Sequence, residues 1–241
     1  MFPGLVSIEI KKCKRTFIPW MILIGGVLTA FIAFMMTSYG NYEKSWANLA
    51  AMGLNFVNLL ALLLVAVFSG YVFVTEYHES TISILFTYPV SRLKLYVAKY
   101  SVILFWVIIL YLIFFVSIMG IGFLSMRQLP QTDFLIKFIK LMPLIIISNF
   151  VLVPVTVLMS IVIKGIGTYI LAGMGYFVAY MSFISSDSGV YMPPCIPDKL
   201  AKNYMVMEYM GKADFRAMII VSAVTFLSAF LIGAVCYCRN E

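Results

Sequence analysis

The sequence predicts an all-α polytopic membrane protein: six transmembrane helices preceded by a short N-terminal helix along the membrane interface. Three observations carry this. First, the chain is 63% hydrophobic and 11% charged, with a mean hydropathy of +1.03, whereas a soluble domain carries about 25% charged residues. In water such a chain would leave large apolar patches exposed. Second, its charges fall in clusters that leave six uncharged windows of 22 to 31 residues. About 20 apolar residues cross the hydrocarbon as a helix, and a mid-helix charge costs roughly 2.5–3.5 kcal/mol on insertion scales. Third, lipid offers the backbone no hydrogen bonds, so segments of this length must satisfy themselves as helices. The 241 residues form one membrane domain.

Residues 1–15 combine apolar Phe2, Leu5, Val6, Ile8 and Ile10 with Lys11, Lys12, Lys14 and Arg15. That mixture suits a helix lying on the interface. The bases adjoin the first span, which places the N-terminus in the cytoplasm. Six spans then return the C-terminus to that side. Nine bases lie inside and eight outside on this topology, so orientation rests on the N-terminal cluster. A long first span without a small-residue cleavage site is expected to stay attached.

The first span is expected over 17–36, with Pro19 in its first turn, where a missing N–H costs little. The second covers 52–74 and carries Asn55 and Asn58 on nearly one face, read first as interhelical packing. The third covers 96–124. The fourth covers 141–163, with Pro143 near its start and Pro154 inside, where a kink is expected. Asn149 precedes that kink and makes it the best intramembrane polar site. Asn55, Asn58, Asn149 and Pro154 are therefore the candidates for lining a translocation path.

A tight turn at Lys164 and Gly165 makes the fourth and fifth spans antiparallel neighbours. The fifth, over 168–185, holds a small-xxx-small pair, Gly175 and Ala179, which allows close helix approach. Residues 186–213 form the longest polar region and are expected outside, with a helical piece over 198–210. The sixth span covers 215–237.

Several chemistries find no support. The bases form no groove-sized stripe, so nucleic acid is not an expected partner. His78-Glu79 starts like a zinc-protease motif, but Ile82 stands where the second histidine is needed, and His78 is the only histidine. No metal site is expected. The four cysteines lack pairing or metal-ligand spacing and read as free thiols. No phosphate-binding Gly-rich loop occurs, and the spans hold too few acids for an ion relay. The chain is read as neither an enzyme nor a self-powered pump.

The stretch over 73–99, FVTEYHESTISILFTYPVSRLKLYVAK, is the most patterned polar interruption. Glu76 and Glu79 close the second span. Ser80 is a suitable N-cap, and Ile82, Leu85 and Phe86 share a helical face. Pro89 ends the run; Arg92, Lys94 and Lys99 open the third span. On spacing alone this is either a coupling element or an ordinary loop whose apolar residues dip into the bilayer.

The stretch resembles the first intracellular loop of type-2 ABC exporter permeases. Those commonly carry a Glu at the end of the second span, then E-x-x-x-G-T, a Leu pair, Pro, Arg and a Lys opening the third. Glu76, Thr81, Leu85, Pro89, Arg92 and Lys99 match; Ser80 replaces the usual Gly, and Ile84-Leu85 replaces the Leu pair. The six-span layout extends the resemblance over nearly the whole chain. It implies a permease subunit of an ATP-driven exporter, located in a bacterial plasma membrane. Its implied partners are a cytoplasmic ABC ATPase, a second permease subunit and the lipid bilayer. ATP and magnesium would belong to the ATPase, with no cofactor in this chain. The coupling set would be Glu76, Glu79, Ser80, Thr81, Ile82, Leu85, Phe86, Pro89 and Arg92, within a loop over 75–95. Size adds a similarity to permeases of bacteriocin, lantibiotic or bacitracin immunity, hence efflux of a hydrophobic or peptide substrate. A stand-alone secondary transporter or channel, and a membrane scaffold, are the competing readings.

The topology has a direct test. Ser80→Cys, in a background lacking the native cysteines, should react with a membrane-impermeant thiol reagent only in inverted vesicles. Labelling in intact cells would reverse the orientation.

Overall fold

The structure, a computed structural model, describes residues 2–40, 44–78, 91–165, 167–205 and 215–239. Among these the chain is helical apart from connections and two short 3-10 turns, Asp187–Tyr191 and Pro193–Cys195, and contains no strand. In order the helices are α1 (Phe2–Lys14), α2 (Ile18–Tyr39), α3 (Trp46–His78), α4 (Arg92–Met126), α5 (Thr132–Phe150), α6 (Val153–Ile163), α7 (Gly167–Phe183), α8 (Ile196–Met205) and α9 (Phe215–Arg239).

Among the described residues, five stretches are long and apolar enough to cross a bilayer: Ile18–Tyr39, Trp46–Glu76, Arg92–Met126, Thr132–Ile163 and Phe215–Arg239. The fourth joins α5 and α6. The expected fifth span is α7, whose 17 residues rise about 25 Å, the short end of the spanning range. The long helices overrun the expected spans. α3 has 33 residues and α4 has 35, about 50 Å each, against a hydrocarbon core of about 30 Å. Hydropathy registers only the stretch in hydrocarbon, whereas the hydrogen-bond ladder continues through the headgroups. α5 therefore starts at Thr132, ahead of the expected 141, and Pro143 falls inside the helix rather than near its start.

α3 is the centre of the bundle, flanked by α2, α4, α5, α6, α7 and α8. About two-thirds of its apolar window is buried, 67%, against 11% for α9. α2 wedges between α3 and α4 through a glycine pair. A Cβ on Gly25 would lie 2.6 Å from Leu60, and one on Gly26 would lie 2.8 Å from Ile113. The two membrane ends sort as an antiparallel layout requires. At one end Trp46, where α3 begins, packs on Gly122 near the end of α4 and on Phe134 at the start of α5. At the other, the end of α3 meets α1, the start of α4 and the end of α9.

One expectation is corrected here. The close approach of α7 to its neighbour does not use Gly175, which is exposed with open space around it. It uses Gly70 of α3, whose missing Cβ makes room for Tyr169, and Gly173, which faces Ala66. The segment after α7 packs against the bundle, on α3 and α5. Helix α8 runs Ile196–Met205; the later part of the expected piece, 206–210, lies outside the described residues. Asp198 and Lys199 are fully buried. Lys202 pairs with Asp198 at 2.8 Å, and Lys199 Nζ donates to Ser186 O at 3.0 Å. Burial pushes the Asp198 carboxyl above the usual carboxylate range against the opposing pull of Lys202, and draws the Lys199 ammonium down.

Gly70→Val should separate α3 from α7 and cost about 1–3 kcal/mol by overpacking, read as a lower melting temperature in detergent. Gly175→Val, at an open position, should stay within about 0.5 kcal/mol of the parent.

Candidate functional site

The site begins with two acids and two bases from three helices. Glu9 of α1, Glu76 near the end of α3 and Lys99 in the second turn of α4 are all buried, at 6%, 7% and 2% exposure. Lys99 Nζ lies 2.8 Å from Glu76 Oε1 and 3.9 Å from Glu9 Oε2, and donates to Val72 O at 2.8 Å. Half-exposed Lys12 closes the set, 2.7 Å from Glu9 and 3.4 Å from Glu76. Two positive and two negative groups thus cancel where helices α1, α3 and α4 converge. Burial lowers the Lys12 ammonium, but the hydrogen bond and charge of Glu9, with Glu76 behind, hold it above an ordinary lysine. Burial also pushes the neighbouring Cys13 thiol up to about 11, with Glu9 adding to the shift.

An aromatic layer backs the charges. Lys99 Nζ sits 5.1 Å from the Phe73 ring centroid, a cation–π distance. Phe73 meets Tyr96, Tyr100 and Tyr237 edge-on, at centroid distances of 5.7 to 5.9 Å. The Tyr96 and Tyr100 hydroxyls are 2.9 Å apart, and Tyr96 donates to Phe230 O at 3.2 Å. Arg92 adds a second tie to α9: its guanidinium donates to Cys238 O at 2.7 Å. An arginine on the last carbonyls of a helix meets an unsatisfied acceptor and the negative end of the dipole.

Of the expected coupling set, the structure brings Glu76 and Arg92 into this assembly. Glu76, near the end of α3, is a buried partner of Lys99. Glu79, Ser80, Thr81, Ile82, Leu85, Phe86 and Pro89 lie outside the described residues. Glu9 went unnoticed because it stands among four bases. Its signal was available: an acid at i−3 from Lys12 on a helix that buries one face.

The intramembrane asparagines also find each other. Tyr111 of α4 donates to Asn58 Oδ1 at 2.8 Å, and Asn149 Nδ2 donates to the Tyr111 hydroxyl at 2.8 Å and to Ile145 O at 3.1 Å. All three side chains are buried. Nothing in the sequence singled out Tyr111 among 15 tyrosines. Asn55 is half-buried and stands apart from this set. Pro154 does break the fourth span: α5 stops at Phe150 and α6 begins at Val153. Tyr176 of α7 braces the break, donating to Leu152 O at 3.2 Å beside the Thr156 hydroxyl at 2.9 Å.

A family model described as ABC-2 family transporter protein matches residues 5–180, from α1 into α7. The match takes in the whole charge assembly and the stretch between α3 and α4. No curated protein matches the chain.

Removing one partner of a buried ion pair strands the other, at about 3–5 kcal/mol. Lys99→Met should therefore lower the detergent melting temperature and the yield of folded protein sharply. Adding Glu76→Gln should restore much of the loss, because one stranded carboxylate then becomes neutral. A double variant no better than the single one would mean that charge pairing is not what holds the three helices.

Proposed function

The chain belongs to the ABC-2 family of transporter proteins and is thus a membrane permease subunit of an ABC transporter; from that premise we propose that it couples ATP hydrolysis by a partner ATPase to efflux of a hydrophobic or peptide substrate. The observation that carries this reading is the charge and aromatic assembly flanking the stretch between α3 and α4. That stretch leaves α3 beside buried Glu76 and rejoins α4 at Arg92, seven residues ahead of buried Lys99. A force applied to 80–87 is delivered to helices that are tied to one another and to α1 and α9.

In this reading the roles divide. Ile82, Leu85 and Phe86 form the apolar knob that enters a groove on the ATPase. Glu79, Ser80, Thr81 and Pro89 shape and end the short helix that presents it. Glu76 and Arg92 pass its motion inward through Lys99 and the end of α9. ATP and magnesium act in the partner, where ATP closes the nucleotide-binding dimer. A second permease copy or homologue completes the transporter. Both termini, α1 at the interface and the 75–95 loop face the cytoplasm of a bacterial cell; 186–213 faces outward.

Asn55, Asn58, Asn149 and Pro154 mark the region where the helices part for substrate. Support comes from Asn58 Nδ2 and Asn149 Oδ1, a buried donor and a buried acceptor without a hydrogen-bond partner among the described residues. Within transport systems of this kind, immunity to an antimicrobial peptide is the proposed role.

Leu85→Asp and Phe86→Asp place a charge on the docking face and should abolish co-purification with the ATPase. Substrate-stimulated ATP hydrolysis should fall at least tenfold, with the melting temperature of the isolated permease unchanged. Survival of both docking and stimulation in either variant would remove 80–87 from the mechanism.

A further inference from the structure

The break at Pro154 has a geometric result on the membrane-facing side. α9 packs closely on α6, after the break, while α5, before it, leans away. The wedge between α5 and α9 is a cavity of about 610 Å³, floored by Ile196 and Leu200 of α8. Its walls are almost wholly apolar, with Ser148 and Ser222 the polar exceptions. Its lips, Ile147, Ile219 and Leu227, are more than half exposed. Along α9 the slot reaches from Phe215 to Leu227, about 18 Å of rise, close to the roughly 15 Å that one leaflet contributes to the hydrocarbon core.

One end of the slot is charged. Lys137 and Lys140 of α5 and Arg216 of α9 are exposed, and all three lie at the end where both helices begin. Lys140 shares a face with slot residues Leu144 and Ile147 (i+4 and i+7), and Lys137 with Leu144 and Ser148 (i+7 and i+11). Arg216 lines up in the same way with Ala223 and Leu227. None of the three cations enters an ion pair among the described residues; Asp133, one turn before Lys137, does not reach it.

We infer that this slot holds an anionic phospholipid: an acyl chain lies between α5 and α9, and the phosphate sits among Lys137, Lys140 and Arg216. A slot open to the bilayer is filled by whatever the bilayer supplies, and hydrocarbon matches its lining. The cations select the headgroup, since a basic residue near a membrane surface favours anionic lipid. The inference needs only the membrane setting and is independent of ATPase coupling.

The test is native mass spectrometry of the full-length chain released from nanodiscs of equal phosphatidylglycerol and phosphatidylethanolamine. The parent should retain phosphatidylglycerol preferentially. The triple variant K137Q/K140Q/R216Q should lose that preference by about a hundredfold, at about fivefold per charge removed, while still retaining phosphatidylethanolamine. Ala223→Phe, which fills the slot and leaves the rim intact, should reduce retention of both lipids. An unchanged preference in the triple variant would overturn the inference. So would disulfide cross-linking of Ile219→Cys between two copies of the chain with no lipid retained, because the slot would then be a protein–protein contact.

Discussion

The ammonium of Lys99, held between two carboxylates with almost no access to solvent, is the constraint on which the meeting point of α1, α3 and α4 depends. Moving an ion out of water costs several kcal/mol even after the protein relaxes. That cost is met only while Glu9, Glu76 and the Val72 carbonyl surround it. Each of those groups comes from a helix other than α4, so the requirement is a requirement on helix positions. The assembly is neutral with Lys12 included, which lets it sit at the membrane boundary without a residual field. Charge fixes which helices meet, and the ring cluster around Phe73 fills the space between them. Separating these helices would leave buried charges without their partners.

The fourth span has the opposite character. Pro154 removes one backbone bond and divides the span into α5 and α6, which take different neighbours: α8 for one, α7 and α9 for the other. Leu152 O, in the bend, accepts the Thr156 backbone N–H and the hydroxyls of Thr156 and Tyr176, so the bend is supported. Just before it, Asn149 reaches across to Tyr111 and Asn58. A charge-paired junction built on α3 and α4 is thus joined to a jointed span through one line of polar side chains. That division of rigid and yielding parts suits a transporter subunit, in which movement at one face must be carried through the bilayer.

Much of this could be read in the sequence, for one physical reason. A charge in hydrocarbon is so unfavourable that charge-free windows mark the apolar helices, and the all-α layout followed from them, although five of the six expected spans are long and apolar enough to cross and the fifth, α7, is shorter. Where the helices stop did not follow, since α3, α4 and α5 continue past the hydrocarbon that hydropathy measures. Contacts were harder still. Gly175 and Ala179 fitted a packing pattern, yet the face that meets α3 carries Gly173, because the pattern does not say which face is inward. Glu9 was hidden by its basic neighbours, and Tyr111 by the abundance of tyrosine. Glu76 and Lys99 were both singled out, but their pairing depends on α3 and α4 lying side by side at matching depth, which spacing along the chain does not state. The match over 5–180 agrees with what the 73–99 stretch resembles, so family-level reading was within reach where residue contacts were not.

The arrangement of Glu9, Glu76 and Lys99 also bears on biogenesis. The chain is made from its N-terminus, so both acids leave the ribosome before the base that neutralises them. Until α4 lies beside α3, Glu76 lacks its 2.8 Å contact with Lys99, and burying it early would carry the cost of a half-paired ion. The junction of α1, α3 and α4 is therefore complete only once Lys99 has been made and α4 lies against the other two helices.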